Sequence, residues 1–490
     1  MKGILQNKTA HATRWSAASE VTSRLVLPFV NVVLARLLTP DAFGVVATVT
    51  MIISFAEIFA DAGFQKYIIQ HKFVNKQELD ENTNVAFWTN LIVSIVAWVI
   101  IFVWSEELAS LVGNPGLGIV VVISALSLPL MAFSSIQMAR FKRDMDFKSL
   151  FFVRIITICV PIIVTVPIAF LTHSYWSLVV GTISINFVNA ILLTIRSNWK
   201  PKFYYSIKHF KNMFSYSWWI LMESISTWLT SYSDTFIVSM YLTPYFVGLY
   251  KTSMVTVNQL VGVIVAATSM PLFVTLTKLQ NEKKKLIDTY NNYMKSVSTF
   301  IIPLSVGIWV FRDTITLILL GEQWMEASDF IGLWGLLSSI TLVLGTYTNG
   351  LYNAVGKTFL SFIIALINLV FMIPMLLWAA QYGFECLYIS RSSLRIIFVL
   401  SQLSLMAVSL RYPIGTLIKS ITPPIVGSVA MLPVAFVIRL FSGNICVELL
   451  NITACAVTYF LVTRICFKNL ISNSLDTLGL KLPFFKKDGQ

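Results

Sequence analysis

Apolar residues run along this chain in stretches of twenty or more, broken by short polar segments, from near residue 15 to near residue 467. A helix of about 20 apolar residues crosses the hydrocarbon core of a bilayer. The rhythm therefore predicts membrane spans at 15–38, 42–63, 84–104, 118–138, 149–171, 176–196 and 214–240. A second set follows at 247–273, 295–319, 328–352, 359–380, 385–409, 420–441 and 446–467. Lipid offers no partner to an unpaired backbone group, so these segments must be helices and not open sheet. The expected fold class is an all-α integral membrane protein of about fourteen transmembrane helices.

Polar positions inside the spans are also periodic. Ser16, Glu20, Arg24 and Asn31 share one face of the first span, because residues three, four and seven apart line up on a helix. Glu223, Thr227, Thr230 and Asp234 form a similar stripe on the seventh span, and Arg391, Arg395 and Gln402 share a face of the twelfth.

The loops divide by charge. Every loop Lys and Arg falls in one alternate set, from Lys2, Lys8 and Arg14 through Arg140, Lys142 and Arg143 to Lys486 and Lys487. The other set carries only acids, among them Asp41, Glu106, Glu107, Glu322 and Glu326. The excess of positive loops marks the cytoplasmic side, which predicts that both termini are cytoplasmic. The longest opposite loop, residues 105–117, could not house a catalytic domain, so function is expected among the helices.

Leu38-Thr39-Pro40 followed by Gly44 recurs as Leu242-Thr243-Pro244 followed by Gly248, and Trp15 and Trp219 are the same distance apart. Pro and Gly here mark a tight helix–helix turn. Each copy is followed by an amphipathic cytoplasmic segment, residues 64–83 and 274–294. The resulting plan is a parallel repeat, as in many transporters. It gives a six-helix lobe over 1–196, a basic linker over 197–213 and a second six-helix lobe over 214–409. Two additional helices over 410–467 and a cytoplasmic tail over 468–490 complete it.

Composition agrees with this picture. The chain has 490 residues, 56% hydrophobic and 12% charged, with mean hydropathy +0.76, against about 25% charged in a soluble protein. A net charge of +13 invites a nucleic-acid reading, but the basic residues lie between apolar spans and form no patch. The first apolar stretch carries Glu20, Arg24 and Arg36 and lacks a cleavage site, so it is expected to stay as the first span. Cys159, Cys386, Cys446, Cys455 and Cys466 have no metal-ligand spacing; Cys386 and Cys446, near outer helix ends, are expected as free thiols, with a bridge between them as the alternative. The four histidines lie in different loops, so no metal or cofactor is expected. Gly350–Thr358 imitates a phosphate loop, but the glycines are one residue too far apart and no strand precedes them.

An ionised side chain near mid-bilayer costs roughly 2.5–3.5 kcal/mol on insertion scales unless it meets water or a partner. Arg24, Lys251, Arg391 and Arg395 are accordingly expected to face an internal cavity. With Glu20 and Asn31 they are the candidate substrate contacts, and Glu223, Asp234 and Glu57 the candidate ion-coupling acids. Competing assignments are plain: Glu20 and Arg24 as a structural i,i+4 pair, Glu57 and Asp61 as a cap or pair, and Lys251 as a snorkelling residue.

A set of short motifs gives the chain a relationship. These are Trp15-Ser16, Val33-Leu34-Ala35-Arg36-Leu37-Leu38-Thr39-Pro40 with Phe43-Gly44, Asp61-Ala62-Gly63-Phe64, Ile69-Gln70 and Ala86-Phe87-Trp88. Arg143-Asp144-Met145-Asp146-Phe147 and Gly321-Glu322-Gln323-Trp324 follow in order. To about residue 410 the chain resembles the polysaccharide flippases of the MOP exporter superfamily, in the Wzx-like branch. The resemblance implies two six-helix lobes around a central cavity that opens alternately to either side of a bacterial inner membrane. It implies a carrier and not an enzyme, acting on an oligosaccharide repeat linked to undecaprenyl pyrophosphate for surface polysaccharide assembly. It also implies a monomer that meets membrane lipid, with polysaccharide polymerase or export machinery as further partners. Three rival readings are a MATE-like cation-coupled drug antiporter, a membrane polymerase or ligase of lipid-linked sugars, and a non-transporting scaffold.

Overall fold

The computed structural model describes residues 2–439, 445–467 and 470–477, which are helical almost throughout and contain no strand. The main helices are α1 (Lys2–Leu37), α2 (Pro40–Asp61), the short α3 (Phe64–Gln70), α4 (Lys76–Val103) and α5 (Ser127–Arg143). Next come α6 (Phe147–Val160), α7 (Trp176–Arg196), α8 (Ile207–Tyr241) and α9 (Pro244–Lys278). The chain continues with α10 (Lys283–Val310), α11 (Ser328–Thr341), α12 (Thr358–Ala379), α13 (Phe384–Leu410), α14 (Ile414–Val429) and α15 (Ile445–Cys466). Shorter helical turns extend several of them.

Thirteen helices among the described residues are long and apolar enough to cross a membrane. The chain is an all-α, multi-pass membrane protein. The span expected at 214–240 is missing from the thirteen for a physical reason. It lies within α8, whose 35 residues make a rod of about 52 Å, ample for crossing. Glu223, Asp234 and the serines and threonines between them, however, dilute its apolar run.

Local sequence explains the helix boundaries. Thr39 takes the extended N-cap conformation and Pro40 begins α2, where its missing N–H is not needed. Ala62 and Gly63, both left-handed at φ 41° and 80°, end α2 and turn the chain into α3. Asn75 caps the start of α4: its side chain accepts from the Glu78 amide at 2.8 Å, and Glu78 reaches back past the cap to accept from the Val74 amide at 2.6 Å. The basic stretch 197–213 is helical from Ile207 onwards, so only its first half is a loop. Of the two amphipathic segments, 64–83 contains α3 and the start of α4, whereas 274–294 is the end of α9 and the start of α10.

The chain divides into two compact units, Met1–Lys251 and Thr252–Gln490. In the first, Val45, Val49 and Ile53 of α2 pack on Ile101 of α4, with Val120, Leu128 and Val179. Tyr67, Ile68 and Phe87 form a second cluster with Ile136. Beside it the buried Arg140 donates to Asp80 at 2.7 Å and to Thr83 at 3.2 Å. The helix over 214–240, expected at the head of the second lobe, packs along α2 inside this unit.

The two copies of the Leu-Thr-Pro motif meet there. A Cβ on Gly44 would lie 1.8 Å from the Pro244 carbonyl oxygen, and one on Gly248 would lie 1.9 Å from the Pro40 carbonyl oxygen. Each glycine lets the other copy's backbone approach, the small-residue contact that brings membrane helices together.

The second unit is built around Trp324, Phe330 and Trp334, all fully buried. Its interior tyrosines are hydrogen-bonded, as buried hydroxyls require. Tyr352 donates to the Gln402 carbonyl at 2.8 Å, Tyr293 to the Thr268 carbonyl at 2.6 Å and Tyr412 to Asn291 at 2.8 Å.

Candidate functional site

The polar stripe of α8 stands against α2 and α3. The Lys66 ammonium of α3 donates to the Glu223 carboxylate at 2.9 Å, and both side chains are about half-exposed or more, at 49% and 67%. An accessible pair of this kind contributes roughly 0–1 kcal/mol, so it can be opened by a competing ligand. Lys66 and Glu223 sit at the edge of a cavity of about 370 Å³ lined also by Ile58, Ser224, Thr227, Trp228, Ser231 and Tyr232. Thr227 donates to the Glu223 carbonyl and Ser231 to the Thr227 carbonyl, each at 2.9 Å. Their protons are thereby committed to the helix, and the hydroxyl oxygens remain as acceptors.

Trp228 is pinned from three sides. Its Nε1 donates to Ser54 Oγ at 3.0 Å, Phe55 meets it at 4.7 Å between ring centroids, and Tyr232 stacks on it at 5.5 Å and 30°. Phe59 continues the aromatic row from Phe55 at 5.1 Å.

One turn beyond Thr230, Asp234 is buried at 2% exposure. Its Oδ1 accepts from the Thr235 amide at 2.7 Å and hydroxyl at 3.1 Å, and its Oδ2 accepts from Tyr250 at 3.1 Å. The Lys251 ammonium lies 3.7 Å from Oδ1 and 5.3 Å from the centre of the Tyr232 ring. Lys251 therefore has a specific partner inside the protein and does more than snorkel.

On α1, Arg24 Nε donates to Glu20 at 2.7 Å, with 40% and 57% of the two side chains accessible. The i,i+4 pair forms as helix geometry dictates. It lies on the exposed side of α1 with Val21, Leu25 and Phe29, which are 58–67% exposed. The opposite side, Val30, Leu34 and Leu38, packs into the core with Ala169. Asn31 is half-buried, and Ser23 accepts from Arg154 Nε at 3.0 Å.

In the second unit Arg391 and Arg395 both lie over the ring of the buried Trp334, with guanidinium carbons 5.3 and 3.7 Å from its centre. This cation–π contact stabilises both charges. Gln402, on the same helix, donates to Asn349 at 2.8 Å. Glu57 is half-buried on α2, one turn before Asp61, whose Oδ1 is buried without a hydrogen-bond partner.

The remaining motifs find structural duties. Lys357, in the false phosphate loop, donates to the Ser409 carbonyl at 2.7 Å, and Thr358 begins α12. Cys386 carries a free thiol, while the Cys446 side chain lies outside the described residues. Among the described residues no three of His, Cys, Asp and Glu are placed to hold a metal ion.

Of the residues singled out in the sequence, the structure joins Glu20 to Arg24, Asp234 to Lys251, and Arg391 and Arg395 through Trp334. It adds Lys66, Trp228, Tyr232 and Tyr250, which span hydropathy passes over. Trp228 and Tyr232 are spaced i,i+4, a stacking signal visible in the sequence. Lys66 reads there only as a loop charge.

A profile of the family described as "Polysaccharide biosynthesis protein" matches residues 33–329. The chain is 25% identical to the succinoglycan biosynthesis transport protein ExoT of Rhizobium meliloti (strain 1021), over 68% of this chain and 67% of that one. It is 23% identical to the lipopolysaccharide biosynthesis protein WzxC of Escherichia coli (strain K12), over 70% of each. Among solved structures, the lipid II flippase MurJ in an inward closed conformation superposes with TM-score 0.74 at 18% identity, covering 94% of this chain and all of that one. An inward-facing MATE multidrug transporter of the MOP superfamily gives 0.58 at 13% identity, covering 80% and 98%. The fold is shared with both.

Proposed function

The chain belongs to the polysaccharide biosynthesis protein family, and we propose that it flips a saccharide linked to undecaprenyl pyrophosphate across a bacterial inner membrane by alternating access. The observation that carries this reading is the exposed face of α1. There an accessible Glu20–Arg24 pair stands beside bare Val21, Leu25 and Phe29, a surface matched to a molecule with a charged head and an apolar tail. Arg24 is the proposed pyrophosphate contact, with Glu20 holding its guanidinium in place and Asn31 further along the same helix. Arg391 and Arg395 are proposed as a second cationic contact: stacking on Trp334 uses the flat face of a guanidinium, and phosphate binding uses its N–H edge. In the second unit, an apolar cavity of about 460 Å³ lined by Phe300, Pro303, Phe311, Ile452 and Tyr459 offers room for part of a prenyl chain.

The names of the relatives point the same way, one a succinoglycan transport protein and the structural neighbour a lipid II flippase. The loop charges support a cytoplasmic position for both termini. A cation-drug antiporter fits less well. Its cavity needs unneutralised acids, whereas on α8 Glu223 and Asp234 each face a lysine, Lys66 and Lys251. Coupling to an ion through Glu223 or Asp234 would require those pairs to open during the cycle; Glu57 is the third proposed ion-coupling acid.

Deletion of the gene in its own host tests the reading. The expected result is accumulation of the lipid-linked saccharide and loss of the surface polysaccharide, both reversed by the wild-type chain. Arg24→Ala, expressed at the same level, is expected to restore roughly a tenth as much polysaccharide, as for loss of one charge-assisted contact. An unchanged lipid pool and intact surface polysaccharide in the deletion strain contradict the proposal.

A further inference from the structure

We propose that the cavity between α2, α3 and α8 is a saccharide subsite for one neutral pyranose ring, a hexose or N-acetylhexosamine; this rests on the flippase reading and adds the sugar's own contact to it. A pyranose has an apolar C–H face and a rim of hydroxyls, so a site for it needs a flat aromatic surface and planar or hydroxylic groups around the edge. Both are present here. The aromatic surface is the Trp228–Tyr232 pair, both rings lining the cavity, with Trp228 held by Ser54 and Phe55. Its negative ring face attracts the positive C–H edges of a sugar, as it does the edge of another ring. Because its neighbours fix the indole, little rotamer freedom is lost on binding.

The rim follows from the helix. Thr227 and Ser231 have given their protons to backbone carbonyls and so accept from sugar hydroxyls. The Lys66 ammonium has further donors and the Glu223 carboxylate further lone pairs beyond the bond that joins them. Their opposite charges cancel, which favours a neutral ring over a uronic acid. At about 370 Å³ the cavity falls in the ~300–1,000 Å³ range of small-molecule sites. A single stacked ring with acceptors and an openable ion pair binds weakly enough to release, as a carrier needs.

The test is equilibrium binding to the purified full-length chain. The probes are bare undecaprenyl pyrophosphate and the same lipid bearing one glucose, galactose or N-acetylglucosamine. The wild type is expected to bind at least one glycosylated lipid about tenfold more tightly than the bare carrier, which corresponds to about 1.4 kcal/mol. Trp228→Leu is expected to abolish that difference while leaving the affinity for the bare carrier unchanged, and Trp228→Phe is expected to keep most of it. Thr227→Val, isosteric and lacking the acceptor, is expected to reduce the difference by severalfold and serves if Trp228→Leu does not fold. Equal binding of glycosylated and bare lipid by the wild type, or a tenfold difference that survives both Trp228→Leu and Thr227→Val, overturns the subsite while the flippase reading stands. Failure to bind any of these lipids overturns both.

Discussion

Gly44→Ala is expected to destabilise the protein by about 3 kcal/mol, the upper end of what overpacking a tight contact costs. The new methyl group would stand 1.8 Å from the Pro244 carbonyl oxygen and 2.6 Å from its carbon. Both are backbone atoms, so no side-chain rotation relieves the clash and the helices must separate. Gly248→Ala meets Pro40 in the same way, at 1.9 and 2.7 Å, and is expected to cost a similar amount. Because one separation accommodates both methyl groups, the double variant should lose much less than the sum of the two. Thermal unfolding in detergent, followed by loss of the monodisperse peak, checks all three variants. Wild-type stability in either single variant would show that the two motifs do not meet this closely.

Asp234→Ala is expected to be comparably damaging. It removes the acceptor of Tyr250 and the counter-charge of Lys251 from a site where the aspartate is 2% exposed. Breaking a buried pair from one side costs roughly 3–5 kcal/mol, because the remaining charge is left unpaired. Lys251→Ala should destabilise less, since Asp234 keeps its bonds to Thr235 and Tyr250. Asp234→Asn combined with Lys251→Gln removes both charges and keeps polar contacts, so it is expected to recover most of the stability. A double variant no more stable than Asp234→Ala alone would mean that charge pairing is not what the site supplies.

The span pattern made most of the architecture legible, because hydropathy at a scale of twenty residues depends on local sequence alone. The Leu-Thr-Pro repeat was likewise visible as a pair of tight turns. That the two turns press their glycines against each other's prolines was not visible, since it depends on tertiary approach. The same division runs through the candidate site. Glu20 and Arg24 are four residues apart, and helix geometry alone pairs them. Lys66 and Glu223 are separated by 157 residues, and nothing in either neighbourhood signals the other. Arg391 and Arg395 read as a charged face of one helix, and the sequence gives no hint that both lie over the Trp334 ring. α8 shows the opposite limit: the polar face that suggests function also hides the helix from an apolarity criterion.

Translocation in proteoliposomes tests the central claim most directly, using fluorescent undecaprenyl-pyrophosphate oligosaccharide and comparing the wild type with well-folded Arg24→Ala. Protein-dependent movement of the lipid-linked sugar to the opposite leaflet is expected, about tenfold slower in the variant, as for the loss of roughly 1.4 kcal/mol of charge-assisted binding. Liposomes in which the wild type moves no lipid-linked sugar under a proton, sodium or potential gradient would contradict the central claim.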